Sequence, residues 1–199
     1  MKKRFIQMHY EDRISDDMDH HQILGWESKD AQQARFKVLT DNIILTGKRL
    51  LDVGCGLGDL YKYLKESSIK CRYTGVDISE KMILRASRVH PDAEFYFRDV
   101  FEGEHLFEEN SFDIVYSSGI FNLNLGNNLD FLSDAVRIFH FMSSSYTVFN
   151  LLSEKSANKE SQYYYYNIEQ ISELIKKYFS NYKIVEYYLE NDFTVIGKK

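Results

Sequence analysis

Three glycines spaced two apart, Gly54, Gly56 and Gly58, close a short apolar stretch that reads Leu50-Leu51-Asp52-Val53. Glycine lets backbone approach a ligand where a Cβ would collide. A second apolar stretch, Tyr73-Thr74-Gly75-Val76, ends in Asp77. An acid about 20 residues past a glycine turn is where a βαβ unit holds a nucleotide ribose. The spacing departs from the Gly-x-Gly-x-x-Gly of dinucleotide sites, because Asp59 stands where the last glycine is wanted. A carboxylate there repels a pyrophosphate. No phosphate-cradling Gly-x-x-x-x-Gly-Lys-Ser/Thr loop follows. The turn therefore suits a nucleoside without phosphates and disfavours a dinucleotide oxidoreductase.

Such groups work only if strands deliver them to one edge. Apolar periodicity predicts a helix from Ser28 to about Ile43, with Ala31, Ala34, Val38 and Leu39 recurring and Ser28 as its cap. Strands are expected at Arg49–Val53, Arg72–Val76, Glu94–Phe97, Phe112–Tyr116 and Tyr146–Leu151. Helices are expected to open near Asp59 and after Ser79, and to span Leu129–Phe141 and Ile168–Tyr178. Two closing strands, Lys183–Leu189 and Phe193–Ile196, are separated only by Glu190-Asn191-Asp192. That is too short for a parallel crossover and requires an antiparallel hairpin. The expected fold is α/β: a Rossmann-like, seven-stranded, mostly parallel sheet with an antiparallel C-terminal hairpin and helices on both faces. Residues 1–199 read as a single domain, with an N-terminal lid and helix over 1–47 and a core over 48–199. The residues up to Trp26 are polar and aromatic, with little helical or strand periodicity.

Composition narrows the partners. The formal charge of -5 disfavours a broad nucleic-acid footprint. No apolar stretch approaches the roughly 18 residues of a membrane span, and no signal-peptide core follows Lys2-Lys3-Arg4. A cytoplasmic protein is expected, with Cys55 and Cys71 as free thiols. The six histidines, His9, His20, His21, His90, His105 and His140, show no metal-ligand spacing, so no metal is expected. Nothing in the sequence sets an oligomeric state.

Four motifs in order give the chain a family likeness: Leu51-Asp52-Val53-Gly54-Cys55-Gly56-Leu57-Gly58, Gly75-Val76-Asp77-Ile78-Ser79, Arg98-Asp99-Val100 and Phe112-Asp113-Ile114-Val115. With them the chain resembles the class I S-adenosylmethionine-dependent methyltransferases, of the small bacterial type, over roughly residues 48–199. Gly25-Trp26-Glu27-Ser28 leading to Gln32 and Arg35-Phe36 is similar to a leader of some bacterial members. Where members often carry a Leu-Lys-Pro-Gly-Gly-like turn, this chain reads Phe141-Met142-Ser143-Ser144-Ser145-Tyr146. The resemblance implies S-adenosyl-L-methionine as cofactor and S-adenosyl-L-homocysteine as product. It implies that Asp77 takes the ribose hydroxyls and that Ile78 packs on adenine. Asp99 then accepts from the adenine amine while the Val100 N–H donates to the ring. Gly54, Cys55 and Gly56 pass under the methionine part, Asp52 orients that loop and the ammonium, and Ser117 or Ser118 faces the methionine.

Methyl transfer from a sulfonium is an in-line displacement that needs orientation and exclusion of water, with no metal. The expected acceptor is a small polar metabolite, held by Trp26, Asn122, Tyr164, Tyr166 and Asn191. His9 is the candidate base, with Tyr10 and Asn150 beside the reacting group. The alternatives are methylation of tRNA, rRNA or protein, and a protein that binds the cofactor without catalysis.

Overall fold

The computed structural model describes residues 2–15, 18–102 and 107–199. Its frame is a seven-stranded sheet in the order β3-β2-β1-β4-β5-β7-β6. The strands are β1 (Arg49–Val53), β2 (Arg72–Asp77), β3 (Glu94–Phe97), β4 (Phe112–Ser117), β5 (Ser143–Leu152), β6 (Asn181–Val185) and β7 (Asp192–Lys198). Neighbours among β1 to β5 run parallel, and β7 runs antiparallel to both β5 and β6. The strand order reverses between β1 and β4, and in an open α/β sheet that crevice receives the ligand. This is the fold class expected from the sequence.

Helices among the described residues are α1 (Lys2–Glu11), α2 (His20–Ile23), α3 (Lys29–Asn42), α4 (Asp59–Glu66), α5 (Glu80–Val89), α6 (Asn128–Met142) and α7 (Ile168–Ile175). Ser28 and Ser79 cap α3 and α5 by accepting from Ala31 N and Met82 N. Each cap satisfies a backbone donor that the first turn leaves open. Strand side chains alternate between faces. Leu51, Val115, Phe149 and Val195 therefore pack with Phe139 of α6 and Ile171 of α7. Leu50, Ile114, Val148 and Ile196 pack on the other face with Leu39 of α3 and Leu60 of α4. The same parity puts polar residues on the α3 face at the carboxyl edge. Asp52 lies opposite Tyr116 in register, and Asn150 opposite Thr194. All four are buried.

Two expectations are corrected. The N-terminal segment is not aperiodic: Lys2–Glu11 is helical. Its residues include good helix formers, and no glycine or proline interrupts them. The hydrophobic pattern misleads because Phe5 and Met8 are exposed while Lys3 and Gln7 line the cavity. The closing hairpin is also redrawn. β6 ends at Val185, and Asp192 opens β7 with 3% exposure instead of lying in the turn.

Candidate active site

The glycine turn after β1 is pinned by Gly54 N and Cys55 N, which both donate to Val76 O, at 2.8 and 3.1 Å. Gly54 sits at φ 76°, and a Cβ there would run into Ile120 Cγ2. Asp77 closes the end of β2. Its Oδ2 accepts from Gly56 N at 2.9 Å and its Oδ1 from Ser79 N at 2.8 Å. A carboxylate offers about four lone-pair sites, so two remain for a ligand's hydroxyls. Burial raises the Asp77 carboxyl against the pull of these backbone donors. Asp52 is buried in the same wall and accepts from the Tyr73 hydroxyl at 2.7 Å. Burial pushes it up to about 7; Tyr73 lowers it, and Asp77 and Asp59 add to the rise. Cys55 is raised well above an ordinary thiol by burial, which makes it a poor nucleophile.

These groups line a cavity of about 330 Å³, within the range of ligand clefts. Ile78, Asp99 and Val100 continue the wall past Asp77, and Ser118, Gly119 and Asn122 form the opposite one. Asp99 Oδ1 accepts from Phe101 N at 2.9 Å. The α1 helix covers this side with Lys3, Ile6, Gln7 and Tyr10, which recur at helical spacing on one face. Lys3 Nζ reaches Asp99 at 3.2 Å and Glu102 at 2.6 Å. Gln7 Nε2 donates to Ile78 O at 2.6 Å, and Ser79 Oγ donates to Glu11 at 2.8 Å. Lys3 and Gln7 were missed in the sequence. Their spacing was the available signal, and their polarity masked it.

Trp26 covers the other end. A Cβ on Gly119 would lie 2.7 Å from Trp26 Cη2. The Arg35 guanidinium stacks 4.3 Å over the indole. Arg35, 4% exposed, forms an ion pair with Asp192 and donates to Ala31 O at 2.7 Å. Burial raises Asp192 to about 6 against the pull of Arg35. Asp59 accepts from Gln32 at 3.0 Å and lies 2.6 Å from His20 Nδ1. Burial works upward on it, but these partners hold its carboxyl below the usual value. Two buried polar atoms of residues that line the cavity, Trp26 Nε1 and Asn122 Oδ1, have no hydrogen-bond partner among the described residues, and the Tyr116 and Ser118 hydroxyls interact with each other.

The remaining candidates divide. His9 and Tyr10 line the cavity on α1. Burial, then the Arg13 charge, lowers the His9 pKa, and burial raises that of Tyr10. Ser117, by contrast, is fully buried, and its Oγ donates to Val53 O at 2.8 Å; strand parity turns it away and leaves Ser118 at the wall. Asn150 also lies off the cavity. Its Oδ1 accepts from Gly119 N at 3.2 Å and so supports the wall. Tyr164 and Tyr166 do not line the cavity; their rings meet at 4.7 Å, and the Tyr166 hydroxyl donates to Phe121 O at 3.0 Å. Tyr163 lines it instead. The run bridges Leu123 at Tyr163 and Ser153 at Tyr166, so the facing parity is set between two strand ends. Asn191 lies outside the lining as well: its carbonyl accepts from Ser153 N at 2.9 Å. Among the described residues, no group of three or more His, Cys, Asp or Glu could hold a metal ion, and no helix is long and apolar enough to cross a membrane. His105 lies outside the described residues.

Residues 50–140 match a family model described as a methyltransferase domain. A segment of 77 residues is 38% identical to phthiotriol/phenolphthiotriol dimycocerosates methyltransferase 1 of Mycobacterium ulcerans. That segment covers 37% of this chain and only 27% of the relative's length. Among solved structures, magnesium protoporphyrin IX methyltransferase from Synechocystis with bound S-adenosylhomocysteine aligns over 100% of both chains, with a TM-score of 0.70 and 14% identity. A methyltransferase from Archaeoglobus fulgidus aligns over 91% of this chain and 100% of its own, with a TM-score of 0.69 and 16% identity. Residues 50–140 therefore match a methyltransferase domain, and the chain has the fold of solved S-adenosylmethionine-dependent methyltransferases.

Proposed function

We propose that this enzyme methylates a small polar metabolite, working as one domain over residues 1–199. The observation that carries the reading is the pair of unpartnered buried polar atoms, Trp26 Nε1 and Asn122 Oδ1, on residues that line the cavity. A buried polar atom left unpaired costs about 1–3 kcal/mol, which a ligand of matching polarity recovers. The pair joins a donor and an acceptor, as a small polar molecule requires. The acceptors named for the relatives, magnesium protoporphyrin IX and phthiotriol dimycocerosates, differ from one another, so the reading rests on the site's own chemistry.

S-adenosylmethionine supplies the methyl group. Asp77, with two lone-pair sites left, binds the ribose hydroxyls. Asp99 and Val100 read the adenine edge, and Ile78 packs on its face. Asp52 holds the ammonium beside the Gly54-Cys55-Gly56 turn, and Ser118 faces the methionine. The α1 helix and Trp26 exclude water and fix the approach of the acceptor. His9, kept neutral by burial and by Arg13, is the group able to take a proton; Tyr10 stays a protonated donor.

Methyl-labelled cofactor incubated with a metabolite extract, with tRNA and with cell protein tests the proposal. Label is expected in a metabolite. Label confined to RNA or polypeptide contradicts it.

A further inference from the structure

Arg13 enters the reading above only through its charge near His9. It lines the cavity half-buried, just past the end of α1. No carboxylate among the described residues pairs with it, although the acids around the cavity are otherwise engaged. Lys3 holds Asp99 and Glu102, and Arg35 holds Asp192. Glu11, near Arg13 in sequence, is turned to Ser79 and Lys81. The guanidinium does not stand alone. A Cβ on Gly25 would lie 2.8 Å from Arg13 Nη1 and 3.7 Å from the Tyr163 hydroxyl. Gly25 sits at φ 72°, so the chain leaves that gap open where any side chain would fill it. Tyr10 shares this end of the cavity, and its phenol is close enough to feel both Tyr163 and Arg13.

We propose that Arg13, with the hydroxyls of Tyr10 and Tyr163, is an anion subsite, and that the acceptor therefore carries a carboxylate or phosphate group. The proposal rests on the small-molecule reading and narrows it. A guanidinium presents a planar fork of donors that matches both anions, and two phenols add neutral donors without competing charge. The donor's own methionine carboxylate has the same chemistry. The acceptor is the better match by position. Tyr163 comes from the segment after β5 and bridges Leu123 after β4, whereas the glycine turn that receives the methionine follows β1.

The test uses the full chain saturated with S-adenosylhomocysteine. Its melting temperature is followed against sodium phosphate and, separately, sodium acetate, with sodium chloride at equal ionic strength as reference. At least one of the two anions is expected to raise it saturably. Arg13→Gln should weaken that protection by about tenfold or more, and Arg13→Lys should keep part of it. The affinity for S-adenosylhomocysteine should stay within about twofold in both variants. No protection beyond chloride by either anion overturns the subsite, as does protection unchanged in Arg13→Gln. A tenfold loss of S-adenosylhomocysteine affinity in Arg13→Gln also overturns it, because the cation then serves the donor's carboxylate. In the label-transfer assay, a labelled metabolite that is neutral or cationic overturns the anion assignment alone. Label confined to RNA or polypeptide overturns the small-molecule reading beneath it.

Discussion

On the β2 side of the cavity, backbone fixes the groups that face the ligand; on the β4 and β5 side, side chains from distant helices fix them. Asp77 is oriented by Gly56 N and Ser79 N, and the glycine turn by Val76 O. Trp26 is held by stacking under Arg35, and Arg35 by Asp192 across the fold. On the proposed function, the backbone-fixed half is the one that binds the methyl donor, and its geometry tolerates little else. A half fixed by side chains can be re-cut by substitution while the sheet stays intact, and the proposed function puts acceptor choice there.

The largest expected effect breaks the second half. Asp192→Ala leaves Arg35 buried and uncompensated, and should cost about 3–5 kcal/mol in denaturant unfolding. A loss under about 1 kcal/mol would mean that the ion pair does not hold that wall. The matching change in the first half acts on ligand rather than fold. Asp77→Ala should weaken S-adenosylhomocysteine by about 1.5–3 kcal/mol in calorimetry, with a smaller loss of stability than Asp192→Ala. Unchanged affinity would remove Asp77 from the site.

The smallest effect sharpens the comparison through pH. Burial raises the Asp52 carboxyl to about 7 in the folded chain, against about 3.9 when unfolded. The fold therefore favours the protonated acid. That contribution is complete below about pH 3.9 and is lost as pH rises through 7. The melting temperature of the ligand-free wild type, relative to Asp52→Asn, should fall between about pH 5 and about pH 8. Parallel profiles would show that Asp52 does not titrate in this range.

The first half was legible because its signals are local. The glycine spacing, Asp77 at a strand end and the caps Ser28 and Ser79 each depend on a few neighbouring residues. The second half was less so. The α1 helix turns Lys3 and Gln7 inward beside Ile6 and Tyr10 and leaves Phe5 exposed, which blurs the apolar periodicity. Tyr164 and Tyr166 were expected at the pocket, yet Tyr163 lines it, because bridges to Leu123 and Ser153 set the facing of that run. Asp192 looks like a turn residue until its partner, Arg35 on α3, is known. Its burial depends on a contact between residues far apart in sequence, which no local window contains.

The central claim is that the turn after β1, together with Asp77, is shaped for a methionine nucleoside and excludes a dinucleotide. Calorimetric titration of the full chain with S-adenosylhomocysteine, and separately with NAD, tests it most directly. The account predicts saturable one-to-one binding of S-adenosylhomocysteine and no heat with NAD. Saturable binding of NAD, with none of S-adenosylhomocysteine, would contradict it.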